Sequence, residues 1–298
     1  MIYNSLKEIS RSILQDIIIM HIDLRKLKRI IQGTVLAFQT KNYVPIETIS
    51  AQGLLQNKTA LITGGSGGIG FAIAKAFAKN GCNVIIAGTN IKKLESCAKD
   101  IKNSKYCIIN LSEISEIENG VQNAINCFGH IDILVNSAGI HSNKIFNNFL
   151  EVNESDYDTI MNVNLKGTYF VTQLIAKHMI SNKIRGHILN ISSSTALEPA
   201  WSPYRLSKWG IKGLTLGFAQ QLQEFGITVN GIAPGSTATN LLNYREGDSL
   251  WTKDNKNQRY ILPNEIAHYA VLMASSLGDM IVGETLYISG GRGTIDRR

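Results

Sequence analysis

A chain of 298 residues, 44% of them apolar, is long enough for one large α/β domain with a sizeable core. Its 30 basic and 23 acidic residues leave a formal charge of +7, but the cations are scattered, without an arginine-rich block or interleaved aromatics, so no nucleic-acid partner is expected. The four cysteines (Cys82, Cys97, Cys107, Cys127) form no Cys-x-x-Cys pair and the six histidines no His-x-x-x-His spacing, which argues against a metal site and a disulfide framework and fits reduced thiols in a cytoplasm.

Residues 1–52 read as an amphipathic helical extension followed by a linker. Leu6, Ile9, Ile13, Ile17, Met20, Leu24, Leu27 and Ile31 recur at spacings of three and four, the stripe of a helix with one buried face. That face is expected to pack on the main body or on a partner subunit. The alternative is a helix lying on a membrane surface with Lys7, Arg11, Arg25, Lys26, Lys28 and Arg29 outward. The apolar run between Asp16 and Asp23 is too short to cross a bilayer, and no small-residue cleavage site follows it, so stable membrane insertion is not expected. Pro45 and Gly53 break the helical pattern and make the linker.

From Lys58 onward short apolar runs alternate with stretches of helical spacing. The runs at 59–63, 83–88, 106–110, 132–137, 186–192, 227–233 and 284–289 predict seven strands. Helices between them imply βαβ units and a single α/β domain over 53–298: a doubly wound, seven-stranded parallel sheet with helices on both faces.

The first strand runs straight into TGGSGGIG (63–70) and then a helix. Gly65, Gly67 and Gly70 fit G-x-G-x-x-G, while Thr63, Gly64, Gly68 and Gly70 fit T-G-x-x-x-G-x-G. Residues without a Cβ let the backbone approach a pyrophosphate and leave helix N-terminal amides aimed at its charge. Alone such a turn is often a mere loop, but after the first of several parallel strands it points to a dinucleotide. Further on, SPYRLSKWG (202–210) sets Tyr204 and Lys208 one turn apart on one helix face. A phenol that trades protons with a carbonyl or an alcohol near neutral pH needs its pKa lowered from about 10, and a nearby cation favours phenolate. Lys208, helped by an oxidised nicotinamide, is expected to be that cation and Tyr204 the acid/base.

These strings, with NSAG (136–139), NVNLKG (162–167), NISSS (190–194), APGSTAT (233–239) and ISGG (288–291), occur in the order found in the short-chain dehydrogenases/reductases, which the chain resembles in their classical form from about residue 57 to 291. The resemblance implies a Rossmann-type fold and a nicotinamide cofactor. It assigns Ser193 to holding the substrate oxygen, with Ser192 and Ser194 as neighbouring candidates. It assigns Asn164 to binding a water that relays protons from the lysine, and Lys208 to the nicotinamide ribose as well. Gly64, Ser66, Gly67, Gly68, Ile69 and Gly70 would cradle the pyrophosphate. Asn110 and the adjacent Leu111 would lie at the adenine, with Asn110 standing where aspartate is common; Asn136, Ala138 and Gly139 would lie at the adenosine ribose. Pro234, Gly235, Thr237 and Thr239 would lie on the nicotinamide side, beside Tyr204 and Lys208.

An acid at the end of the second strand would bond a ribose 2′-hydroxyl and repel a 2′-phosphate. Here that place reads Gly88, Thr89, Asn90, with Lys92 and Lys93 following and no acid before Glu95, which favours NADP over NAD. The expected function is an NAD(P)-dependent oxidoreductase moving hydride between nicotinamide and a secondary alcohol or ketone. A non-catalytic NAD(P)-binding sensor or scaffold and an epimerase or dehydratase of the same superfamily are the alternatives. The segment 240–262 should cover the substrate, and its polar residues, among them Tyr244, Arg245, Trp251 and Lys253, suggest a polar or anionic one such as a sugar derivative or acyl thioester. A homotetramer or homodimer is implied by the resemblance.

Overall fold

The computed structural model describes residues 53–142, 148–245 and 247–293; the helix and linker expected over 1–52 lie outside them. Strand β1 (Thr59–Thr63) is buried along its whole length, as a strand covered on both faces must be. Leu61 and Ile62 enter opposite cores because successive side chains alternate across the sheet. The same holds for β2 (Asn83–Gly88), β4 (Ile133–Asn136), β5 (His187–Ile191) and β6 (Thr228–Pro234), while β3 (Ser104–Ile108) and β7 (Thr285–Ile288) form the edges.

All seven strands are parallel in the order β3-β2-β1-β4-β5-β6-β7. One face carries α1 (Gly68–Lys79), α2 (Ile91–Lys99) and, after the long central run, α7 (Pro263–Met273). The other carries α3 (Ile114–Phe128), α5 (Thr168–Ser181) and α6 (Pro203–Leu222). The chain winds from β1 outward to β3 and then crosses to β4 on the far side of β1. This reversal opens a crevice at the carboxyl ends of β1 and β4, where a doubly wound sheet binds its ligand.

Two predicted elements differ in detail. The third strand pairs over 104–108 rather than 106–110, because Val84 lies opposite Ser104 and Gly88 opposite Ile108. Ile109 and Leu111 stay buried as the chain leaves the sheet, so the apolar run outlasts the strand. The long helix expected around Asn164 is α4 (Glu154–Met161) continuing into α5 through a π-helical stretch, Asn162–Gly167. One extra residue per turn re-aims the side chains there, an arrangement that recurs at functional sites.

Candidate active site

The glycine-rich turn fits a dinucleotide. Gly64 has a φ of +64°, and a Cβ on it would come within 2.7 Å of the Ala138 Cα, so only glycine lets the turn lie against the loop after β4. Gly68, the first residue of α1, is covered by Thr239: a Cβ there would meet the Thr239 Cγ2 at 2.5 Å. The pyrophosphate end and the nicotinamide side are therefore in contact. Gly67 caps α1 without any side-chain hydrogen bond, and the first turn holds no acid. Its amides and the positive end of its dipole suit an anion.

At the other end of the crevice, Ser202 caps α6 by accepting the Arg205 N–H at 3.4 Å, and Pro203 at the first helical position fixes the entry. Tyr204 and Lys208 follow on one face, the Lys208 Nζ 5.6 Å from the Tyr204 ring centre. Lys208 is 5% exposed and donates to the Ile191 carbonyl at 3.0 Å. Burial lowers its pKa from 10.5 to about 8. The Tyr204 pKa is raised by burial above its usual 10, opposed by a hydrogen bond from Ser193 and by the positive charge of Arg292. The expectation that Lys208 acidifies Tyr204 is corrected here: the lysine's own burial loosens its proton, its ammonium is bound to a main-chain carbonyl, and the cation that favours phenolate is Arg292.

The three neighbouring serines separate by geometry. Ser192 donates to the Lys208 carbonyl at 2.9 Å, and Ser194 lies buried in the following turn. Ser193 Oγ accepts from the Thr195 N–H at 3.2 Å and the Thr195 hydroxyl at 3.0 Å, which turns its own proton toward Tyr204. Asn164, 1% exposed, accepts the Ile140 N–H at 2.8 Å and donates to the Ile140 carbonyl at 3.0 Å and to Ser207 Oγ at 3.2 Å. It thereby clamps the loop after β4 onto α6. A Cβ on Gly139 would sit 3.4 Å from the Lys208 Nζ and 3.6 Å from the Asn164 Oδ1, so all three positions meet.

Other expected contacts are placed differently. The Asn136 side chain, 3% exposed, donates to Thr172 Oγ1 at 2.9 Å and Asn190 Oδ1 at 2.8 Å; it ties β4 to α5 and β5 rather than facing the crevice. Asn110 Oδ1 accepts the Ser112 N–H and hydroxyl, so its amide NH2 is the group left for adenine. Asn90 Oδ1 caps α2 by accepting the Lys93 N–H at 3.0 Å. Thr89 is exposed, and Glu95, the nearest acid after β2, accepts from the Tyr106 hydroxyl at 2.7 Å. Leu111 is buried beneath Gly167, Pro234 ends β6, and the Gly235 N–H donates to the Ile288 carbonyl at 2.9 Å. Ser66 and Ile69 lie in the cradle itself, half-buried. Thr237 and Thr239 hydroxyls donate to main-chain carbonyls of their own turn, Gly235 and Thr237.

Two residues near Tyr204 escaped the sequence reading. His141 packs its ring 4.5 Å from the Tyr204 ring, and Arg292 supplies the charge noted above. The only sequence signal was position: each lies two residues beyond a glycine of a quoted string, Gly139 and Gly290. The segment over 240–262 leaves and returns at one place, since the Ala238 N–H donates to the Ile261 carbonyl and the Ile261 N–H to Ser236, each at 2.9 Å. Much of its polarity serves itself, as where the Tyr244 hydroxyl donates to the Asp248 carbonyl and Arg259 pairs bidentately with Glu265. Leu241, Leu242 and Trp251 are exposed along it. Among the described residues no helix is long and apolar enough to cross a membrane, and no three ligating side chains gather as a metal site.

The family model for short chain dehydrogenase matches residues 58–249. A 3-oxoacyl-(acyl-carrier-protein) reductase of Rickettsia conorii is 36% identical over 243 residues, covering 80% of this chain and 97% of its own. A solved 3-ketoacyl-(acyl-carrier-protein) reductase of Brucella melitensis in complex with NADH superposes with a TM-score of 0.73 at 30% identity, covering 81% of this chain and all of that one. An actinorhodin polyketide ketoreductase with NADPH gives 0.73 at 25% identity, over 80% of this chain and 98% of its own. The chain belongs to the short-chain dehydrogenase/reductase family and is an NAD(P)-dependent oxidoreductase.

Proposed function

We propose that this protein reduces the 3-oxo group of an acyl thioester, with NADPH as the preferred reductant and Tyr204 as the proton donor. The observation that carries this reading is the convergence of Ser193, Tyr204, Lys208 and Asn164 at the carboxyl ends of the central strands, on a fold shared with a Rickettsia 3-oxoacyl-thioester reductase. The glycine turn and the amino end of α1 would hold the pyrophosphate, and Thr239 and Lys208 the nicotinamide half. When bound, the reduced nicotinamide supplies hydride to the carbonyl carbon. Ser193 donates a hydrogen bond to the carbonyl oxygen and fixes its position. As charge builds on that oxygen, the Tyr204 O–H bond breaks and a new O–H bond forms on the substrate. A phenol held above its usual pKa keeps its proton at neutral pH, which suits the reductive direction. The phenolate left behind is stabilised by Ser193 and Arg292 and is reprotonated through Lys208, whose pKa of about 8 makes it a ready donor.

Preference for NADPH rests on the absence of an acid at the end of β2, on the exposed Thr89, Lys92 and Lys93 at the amino end of α2, and on the tether of Glu95 to Tyr106. The exposed Leu241, Leu242 and Trp251 suit an acyl chain better than a sugar, which narrows the polar substrate expected from composition. Turnover of acetoacetyl-CoA with NADPH tests both points. A kcat/KM at least tenfold above that for keto-sugars and short keto-acids, and above that with NADH, is expected. Cofactor binding without oxidation across the panel would favour the sensor or scaffold instead.

Self-association is proposed through α4 and α6. A groove of about 510 Å³ lined by Met161, Leu165, Tyr169, Phe170, Gly213 and Leu214 is almost wholly apolar, and Trp209 and Leu216 extend it as exposed side chains. A second copy is the fitting occupant, because such a face on a lone chain is an aggregation liability. Sedimentation should give an oligomer for the parent and a smaller species for Leu216→Glu; equal sedimentation would refute this face.

A further inference from the structure

Arg292 lies beyond every motif of the sequence, yet it is the cation whose charge reaches Tyr204. Gly290 and Gly291, both with positive φ, turn the chain back from β7 over the strand ends. The turn is pinned on both sides: the Lys256 N–H donates to the Gly290 carbonyl at 3.1 Å, and Gly293 lies against the Ser194 carbonyl, 2.9 Å from where its Cβ would be. Between these points the Arg292 guanidinium donates through Nε to Glu198 at 2.9 Å and through Nη1 to Ser236 at 2.9 Å and Asp254 at 3.3 Å. Asp254 also accepts from Ser236 at 2.6 Å, and the second oxygen of Glu198 pairs with Arg205 at 3.1 Å.

The charges therefore alternate, Arg205, Glu198, Arg292, Asp254, along one rim. Arg205 follows Tyr204 in α6, Glu198 ends the turn that begins at Ser193, Ser236 starts the nicotinamide-side loop, and Asp254 belongs to the segment expected over the substrate. Side chains at 28%, 19% and 39% exposure for Arg292, Glu198 and Asp254 are shielded enough for the pairing to outlast ordinary surface ion pairs.

Resting on the reaction proposed above, we propose that Arg292 is a positioning residue: it clasps the 236–255 segment to the start of the Tyr204 helix and brings with that clasp the positive charge that stabilises the tyrosine oxygen as it gives up its proton. Closure of the substrate segment and readiness of the acid/base are thus one event. No other tail residue can replace it, because a guanidinium reaches Glu198 on one edge and Ser236 and Asp254 on the other, whereas a lysine ammonium offers the charge without the fork.

The other groups facing Tyr204 are Ser193 at the end of β5, His141 from the loop after β4 and Lys208 on its own helix; those facing Arg292 are Glu198 and Asp254. The test uses the full chain saturated with NADP+, with Tyr204 read directly as the phenolate absorbance lost in Tyr204→Phe, and in parallel the pH dependence of kcat/KM for oxidation of 3-hydroxybutyryl-CoA. Oxidation needs the phenolate, so its activity rises with pH through the tyrosine pKa. Arg292→Met should move both curves to higher pH and lower kcat/KM at pH 7 roughly tenfold, mostly in kcat, with NADPH affinity within about threefold of the parent. Glu198→Gln should move both curves the opposite way, and Arg292→Lys should restore the pH position but not the full kcat. A loosened fold alone would not give shifts of opposite sign. Curves of Arg292→Met and Glu198→Gln that superimpose on the parent would overturn the proposal, and should Arg292→Met fail to fold, Glu198→Gln decides it alone. If Tyr204→Phe keeps its turnover, the fault lies with the reaction assignment and not with Arg292.

Discussion

Tyr204→Phe will bind NADPH within about threefold of the parent and reduce acetoacetyl-CoA roughly a thousandfold more slowly. The ring stays, so its contacts with the His141 ring at 4.5 Å and with the Lys208 ammonium at 5.6 Å stay too. What disappears is the one O–H held by Ser193 at the crevice. No nearby group replaces it: the Lys208 proton is committed to the Ile191 carbonyl, and the Ser193 hydroxyl, accepting from Thr195 twice, is a poor acid. The loss should fall on kcat, since the substrate oxygen keeps its bond to Ser193 and only the transition state loses a proton source. NADPH absorbance for turnover and cofactor fluorescence for binding separate the two effects. Retention of more than a tenth of the parent kcat would mean that another group protonates the product.

The strands and the glycine turn were legible because local chemistry dictates them. β1, β2, β4, β5 and β6 are buried on both faces, and unbroken runs such as Ala60–Ile62 and Val84–Ala87 can sit nowhere else in a domain of this size. Tyr204 and Lys208 were legible because a helix turn brings them together whatever the rest of the chain does. The edge strand β3 misled by two residues: Ile109 and Leu111 are buried under the loop that leaves the sheet, and composition does not separate burial in a strand from burial beside it. Asn164 was placed on a helix correctly, but its clamp on Ile140 depends on the π-helical stretch, whose extra residue leaves no mark in a spacing pattern.

Electrostatics was the part least open to sequence reasoning. A lysine one turn from a tyrosine looks like its acidifier until burial is known. At 5% exposure the lysine holds its own proton weakly, and desolvation of the phenol outweighs every nearby charge. The cation that does act, Arg292, is brought in from 88 positions beyond Tyr204 by the return of the tail over the strand ends, a juxtaposition set only by tertiary structure. Asn136 shows the converse, a residue of a nucleotide-site string whose side chain is spent on fastening strands.

Lys208→Met will lose turnover by at least roughly a hundredfold and will change how stability depends on pH. With a folded pKa of about 8 against an unfolded 10.5, the folded lysine has released its proton across a window where the unfolded chain still binds one. Parent stability therefore rises between about pH 8 and 10.5; below pH 8 the cost of the buried ammonium, on the order of 3 kcal/mol, is present in full. Methionine matches the lysine stem in volume and carries no charge, so it removes that cost. It also takes a donor from the Ile191 carbonyl at about 1–3 kcal/mol, which offsets much of the gain. The readout is accordingly the slope and not the absolute Tm. The variant's Tm relative to the parent should be highest near pH 7 and fall steadily toward pH 10, while its reductase activity stays low throughout. A Tm difference that does not change across that window would show that Lys208 is folded with its ordinary pKa, and it would remove this lysine as the proton source for Tyr204.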